Sequence, residues 1–242
     1  VVESDFGVAH ARTLTIHPDG TLLVGGNGYL ARYNPDGTLV DTFGDAGKIN
    51  STHTGYITGV AVQPDGKILA TGFTNNESFR ISRYDDDGTL EWNKGYQINH
   101  SGDSLDNERA VGLFVHDDGD IVVAGTIDVD EDTGYDGNYD RWGTIRVNTY
   151  GGLEDTFQSN FEKFEDTSSI LRLPDGKFLV VGYGKSTPDV RLTRHHPNGS
   201  LDTTFGSSGT VSFPVMNAAD EGYRASLQPD GKILVSGIAS NG

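Results

Sequence analysis

The sequence predicts an all-β protein, a β-propeller built from four-stranded antiparallel blades. Three observations predict it. A turn motif recurs five times, as "IHPDGTLLVGG", "VQPDGKILATG", "VHDDGDIVVAG", "RLPDGKFLVVG" and "LQPDGKILVSG". Its turn glycines, Gly20, Gly66, Gly119, Gly176 and Gly231, stand 46 to 57 residues apart, and another glycine follows each by six residues, at Gly26, Gly72, Gly125, Gly182 and Gly237. Finally, a second hairpin motif follows the first four copies, turning at Gly37, Gly88, Gly151 and Gly199.

The elements of one unit follow from turn chemistry. In x-Pro-Asp-Gly-x the proline presets φ, the aspartate side chain caps the turn, and the glycine takes positive φ. Flanked by "VAV" and "KILA", this is a β-hairpin signal. Each unit therefore reads as four short strands, in the second copy "GVAVQ", "KILATG", "FRISRY" and "TLEWN". The second is almost wholly apolar, as expected of a strand covered on both faces, and the third alternates. The predicted blades run over about 11–50, 57–98, 109–163, 168–214 and 223–242, the last joined by 1–8. The whole chain, 1–242, is one domain. The opening "VVESDFG" resembles a fourth strand such as "LVDTFG". Five blades are expected, the last closed by both termini or by residues outside this chain. The start lacks an initiator Met and a leader pattern, which suggests a processed piece of a longer polypeptide or assembly.

Two residues recur around the second turn. An arginine lies five before each glycine (Arg32, Arg83, Arg146, Arg194), and a phenylalanine lies six after three of them (Phe43, Phe157, Phe205). The arginines are expected to pair with the nearby Asp41, Asp155 and Asp202, and the phenylalanines to pack between blades. The turn aspartates read as turn formers. His195 and His196 form an adjacent pair to note for metal binding.

The two hairpins in this order, "QPDGKILVSG" and "RHHPNGSLDTTFG", resemble the delta-60 repeat of bacterial secreted and surface proteins. The resemblance covers nearly the whole chain. It implies an extracellular or cell-surface propeller, often inside a larger protein, and no particular activity.

Charge narrows the partners. With 18 basic and 35 acidic residues the formal net charge is −17, which repels nucleic acid and anionic membranes. No apolar run is long enough to cross a bilayer. The absence of cysteine removes disulfides and thiol chemistry.

A position that repeats in every blade serves the blade, so irregular segments are the better functional candidates. The acidic segments 99–110, 127–142, 164–169 and 217–224 fall at one end of the predicted propeller. In "DVDEDTGYD", Asp128, Asp130, Asp132 and Asp136 are spaced like a Ca²⁺ loop, although a solvated acidic loop explains them as well. Tyr135, Tyr139 and Trp142 are candidates to stack on a sugar or anchor a partner, or else to cover the longest loop. No nucleophile elbow, zinc helix motif or phosphate loop occurs.

The leading expectation is a non-catalytic extracellular binding or adhesion module, presenting the acidic face to a glycan or protein partner, with Ca²⁺ as a possible ordering ion. An alternative is a channel-centred hydrolase or lyase acting on polysaccharide or ester, with Asp106, Asp166 and Asp220 as candidate acids. A third is an architectural repeat in a filament or large surface protein.

Overall fold

The computed structural model describes residues 10–74, 78–97, 108–129, 139–158, 164–184, 189–216 and 220–239, with backbone alone at 128–129, 139–141, 158, 164–167 and 184. It is a β-propeller of five antiparallel sheets. The first comprises β1 (Ala11–Ile16), β2 (Leu22–Gly26), β3 (Tyr29–Tyr33) and β4 (Lys48–Asn50). The second comprises β5 (Tyr56–Val62), β6 (Ile68–Phe73), β7 (Phe79–Tyr84) and β8 (Leu90–Tyr96). The third comprises β9 (Arg109–Val115), β10 (Ile121–Val129), β11 (Tyr139–Val147) and β12 (Leu153–Gln158). The fourth comprises β13 (Phe164–Arg172), β14 (Phe178–Gly184), β15 (Val190–His195) and β16 (Thr210–Phe213). The fifth has two described strands, β17 (Asp220–Leu227) and β18 (Ile233–Ala239).

The turn motif folds as its residues dictate. Gly20 takes φ 90° and donates its N–H to the His17 carbonyl at 2.9 Å, while Asp19 accepts from the Thr21 N–H at 2.9 Å. The fourth strand departs from expectation in two sheets. The Asp-Thr-Phe segments of the first and fourth sheets form turns, and the outer strand begins only afterwards, at Lys48 and Thr210. Both segments continue as Phe-Gly-x-x-Gly, and Gly44, Ala46 and Gly47 take φ 57°, 48° and 87°, matched by Gly206, Ser208 and Gly209 at 54°, 52° and 94°. The second and third sheets lack this glycine pair, and there β8 and β12 follow the hairpin directly.

The sheets cohere through their faces. Leu23, Leu30 and Phe43 of the first pack with Ile57, Val60, Ile68 and Tyr84 of the second. Leu69, Phe79 and Ile81 of the second pack with Ile121, Val123 and Ile145 of the third. Phe114, Val122 and Trp142 of the third pack with Phe178 and Val180 of the fourth. Phe43 is thus inter-blade packing, and Phe157 lies against the third–fourth cluster.

The repeated arginines are locks, but mostly with other acids than expected. Arg32 pairs with Asp19, the turn aspartate of its own blade, at 2.8 Å and with Asp86 of the next blade at 2.7 Å. Arg83 pairs with Asp65 and Glu91, and Arg146 with Asp118 and Asp120. Only Arg194 uses the expected segment, through Asp202 at 2.8 Å. In the first three blades the turn aspartate therefore has two duties, one oxygen capping the turn and the other holding the arginine of the third strand, whereas in the fourth Asp175 caps its turn without holding Arg194. Lys177 also donates to Asp202, which keeps that carboxyl well below the usual carboxylate range.

His195 is buried rather than offered to a metal. Its Nδ1 lies 3.2 Å from the Gly199 carbonyl and its Nε2 2.9 Å from Thr193 Oγ1. A carbonyl can only accept, so Nδ1 carries the proton and Nε2 accepts from the threonine hydroxyl. Burial pushes the group down from 6.5 to about 3. Above about pH 6.5 it is neutral in both states. As pH falls from there toward 3, the unfolded chain binds a proton that the folded chain refuses, so stability is lost. Between pH 7 and 5 the parent is expected to lose about 2 kcal/mol more than a His195→Phe variant, read from denaturant unfolding at each pH. Equal losses would remove His195 as the source.

The fifth sheet differs in exposure. Leu234 is 56% exposed, whereas its counterparts Leu23, Leu69, Val122 and Leu179 are 0 to 2% exposed. In the first sheet Leu14 and Ile16 are also exposed. A hydrogen bond from Arg224 Nη2 to the Arg12 carbonyl, 2.5 Å, links the two sheets. The expected closing strand, residues 1–8, lies outside the described residues.

Candidate functional site

The innermost strand of every blade carries a β-bulge at one position, eight residues before the turn glycine. Pairing skips Arg12 in β1, Thr58 in β5, Val111 in β9, Ser168 in β13 and Tyr223 in β17. A bulge leaves one residue out of the ladder, bends the strand and re-aims a side chain. The second glycine of each repeat is what permits it. A Cβ built on Gly26, Gly72, Gly125 or Gly237 would lie 2.2, 1.9, 2.1 or 1.8 Å from the carbonyl oxygen of His10, Tyr56, Arg109 or Glu221. Only a residue without a side chain lets the bulged strand come this close.

Around these bulges the first strands of successive sheets enclose a cavity of about 400 Å³, lined by Arg12, Thr58, Val111, Ser168, Arg109 and Arg224 among others. That is within the size range of small-ligand pockets, about 300–1,000 Å³. Thr58 Oγ1 donates to the Ala110 carbonyl at 2.7 Å, tying the second blade to the third at the cavity wall.

Two of the arginines are held by rings. The Arg12 guanidinium lies 5.4 Å from the Tyr56 ring centroid, Tyr56 stacks on Phe73 at 5.1 Å, and Arg109 lies 5.5 Å from the Phe73 ring. This layered series joins the first, second and third blades. Arg12 Nε also donates to Asn27 Oδ1 at 2.6 Å. Such contacts orient guanidinium groups without neutralising them.

The residues singled out in the sequence fall elsewhere. Trp142 is fully buried, stacked on Phe157 at 5.5 Å and tilted against His195 at 4.2 Å. It belongs to the core between the third and fourth sheets, so its ring is not available to a ligand. Tyr135 lies outside the described residues, and Tyr139 is described by its backbone alone, paired with Val129. Asp130, Asp132 and Asp136 lie outside the described residues. The backbone of Asp128 pairs with Asp140, so β10 extends further into the acidic segment than a loop over 127–142 would allow. Among the described residues no cluster of three or more His, Asp or Glu is arranged to hold a metal.

Of the candidate acids, Asp106 and the side chain of Asp166 also lie outside the described residues. Asp220 is fully buried and accepts from the Val215 and Met216 N–H groups at 2.6 and 2.9 Å. It shapes the entry to β17 rather than facing a channel. Arg109 and Arg224 sit in two of the acidic segments, where counting carboxylates hides them. The position eight before each turn glycine, where five different side chains replace one another, was a signal for Arg12 but not for Arg109 or Arg224, which stand ten and seven before theirs.

Comparison with known proteins agrees with the fold. The chain is similar over residues 17–43, 63–91 and 173–205 to the family described as "Domain of unknown function (DUF5122) beta-propeller". Those segments run from the turn motif into the second hairpin in the first, second and fourth copies. No curated protein matches the sequence. Among solved structures, hydrazine synthase of Kuenenia stuttgartiensis aligns with 12% identity and a TM-score of 0.63 over 93% of this chain and 61% of that chain. This chain thus spans about three fifths of that protein's length. The PQQ-bound aldose sugar dehydrogenase from Streptomyces coelicolor aligns with 16% identity, a TM-score of 0.56, and coverage of 96% and 75%. The Nup133 β-propeller domain of Vanderwaltozyma polyspora aligns with 10% identity, a TM-score of 0.51, and coverage of 95% and 69%. At such identities the likeness is one of fold alone.

Proposed function

We propose that this propeller is a non-catalytic binding module, extracellular or at a cell surface, that takes a glycan into the cavity at the ring of bulges. The observation that carries the reading is a repeated geometry with unrepeated chemistry. Turn aspartates, paired glycines and third-strand arginines recur because each blade needs them. At the bulge the backbone recurs while the side chain changes, from Arg12 to Thr58, Val111, Ser168 and Tyr223. A position that four blades present toward one cavity, with Arg224 beside the bulge lining it from the fifth, and that no blade fills alike, suits selection for a ligand. The delta-60 resemblance supports the location outside the cell, and the acidic segments become surroundings of the site instead of its centre.

The test is saturable binding to immobilised oligosaccharides, with Val111→Trp as the blocking variant. Val111 lines the cavity and is only half-buried, so the indole is expected to fill space without disturbing the core. Affinity is expected to fall at least tenfold while the melting temperature stays within a few degrees. Unchanged binding in the variant would move the site elsewhere, and conversion of the bound oligosaccharide to product would replace this reading with an enzymatic one.

A further inference from the structure

We infer that the cavity recognises an anionic group, the carboxylate or sulfate of an acidic saccharide, through Arg12, Arg109 and Arg224. The inference rests on the reading of this cavity as a glycan site and adds the charge of what enters it. Its basis is a contrast within the molecule. In a chain of 35 acids and 18 bases, every arginine has an excess of carboxylates to choose from. Arg32, Arg83, Arg146, Arg172 and Arg194 each pair with one. Arg12, Arg109 and Arg224, which all line the cavity, form no ion pair among the described residues; Arg80 forms none either, but it lies away from the cavity and donates to Asn93 Oδ1 at 3.3 Å.

Their other contacts leave the charge unspent. Arg12 donates from Nε to an amide oxygen, Arg224 donates to the Arg12 carbonyl, and Arg12 and Arg109 rest on aromatic faces. None of these partners is anionic. Nearby acids are engaged elsewhere: Glu221 accepts from the Tyr223 hydroxyl at 2.6 Å, and Asp220 accepts from two backbone N–H groups. Three guanidinium groups from the first, third and fifth blades therefore stand around one concavity of about 400 Å³, each with N–H donors beyond those already engaged. Guanidinium forks match oxyanions in bidentate fashion, and ring contacts that orient them in advance reduce the ordering cost of binding. The hydroxyl-bearing Thr58 and Ser168 on the same wall suit the neutral part of a sugar. The small concavity favours a saccharide unit over an acidic protein segment, which needs a longer surface.

Calorimetric titration of the whole chain with three probes tests this: an oligogalacturonate, a sulfated galactose oligomer, and the neutral galactose oligomer. One or both acidic probes are expected to bind at least tenfold more tightly than the neutral one, and the stronger identifies carboxylate or sulfate. Arg109→Gln is expected to weaken acidic binding at least tenfold, and Arg12→Gln/Arg109→Gln to abolish it, with little change in unfolding midpoint. Neutral and acidic probes binding alike would overturn the anion assignment while leaving the glycan reading intact. Acidic binding that survives the double variant would overturn its placement at these arginines. Failure of both acidic probes at millimolar concentration, including in competition with an acidic peptide that does bind, would overturn the saccharide class.

Discussion

Replacing Trp142 by alanine is expected to destabilise the protein by about 3–5 kcal/mol, the largest loss foreseen for a single side chain here. Trp142 is fully buried and packs on Phe157 and His195 within the cluster that joins the third sheet to the fourth. Removing the indole opens a cavity at a blade interface, and a propeller cannot close that gap without moving two sheets together. Trp142→Phe is expected to cost much less. It keeps most of the volume, and it deletes an indole N–H that has no acceptor among the described residues. The checks are urea unfolding and, if refolding fails, the unfolding rate. A variant that still folds is expected to bind ligand as the parent does. Lost affinity at parental stability would return Trp142 to the binding role that its sequence context suggested.

The second large effect belongs to Gly72. Gly72→Ala is expected to cost about 2–3 kcal/mol, because the new Cβ meets only backbone: the Tyr56 carbonyl oxygen at 1.9 Å, its carbon at 2.8 Å and the Ile57 Cα at 3.1 Å. No side-chain rotation relieves that contact. The strand must move instead, and the strand that moves carries the bulge presenting Thr58 to the cavity. Ligand affinity is therefore expected to fall together with stability. Gly66→Ala is the control. Gly66 has φ 83° but nothing within 4 Å of an added Cβ, so the cost is the left-handed penalty alone, about 1–2 kcal/mol, with affinity unchanged. Comparable stability in the two variants, or loss of affinity in both, would contradict the role assigned to the bulge.

Gly66 and Gly72 also show how much was legible in the sequence. Gly66 explains itself, since Pro-Asp-Gly between two apolar runs is a turn for local reasons, and five copies at blade spacing lead to a propeller. Gly72 recurs just as faithfully, yet its spacing says only that something there excludes a side chain. What excludes it is a carbonyl of the preceding strand, pushed inward by a bulge with no sequence signature of its own. The arginine locks show the same division. Arg32 and Asp19 are 13 residues apart and each recurs, but the choice of Asp19 over Asp41 depends on which side of β3 the guanidinium leaves.

The binding candidates divide in the same way. Tyr135, Tyr139 and Trp142 drew attention as aromatics in a polar segment. Trp142 proves to face the next sheet, because β11 starts at Tyr139 and side chains alternate along it. The arginines of the cavity are 97 and 115 residues apart in sequence, Arg12 to Arg109 and Arg109 to Arg224, and have different neighbours. Only closing five blades around one axis brings them together.

The sequence by itself determined the turn positions, the four-stranded unit and the propeller class, because each rests on contacts a few residues apart repeated along the chain. Tertiary structure alone decided which acid holds each arginine, which aromatic is core, and that a chain of net charge −17 turns three arginines toward one cavity. Those outcomes depend on distances between blades. No local pattern encodes them, since residues of different blades meet only after the sheets have packed.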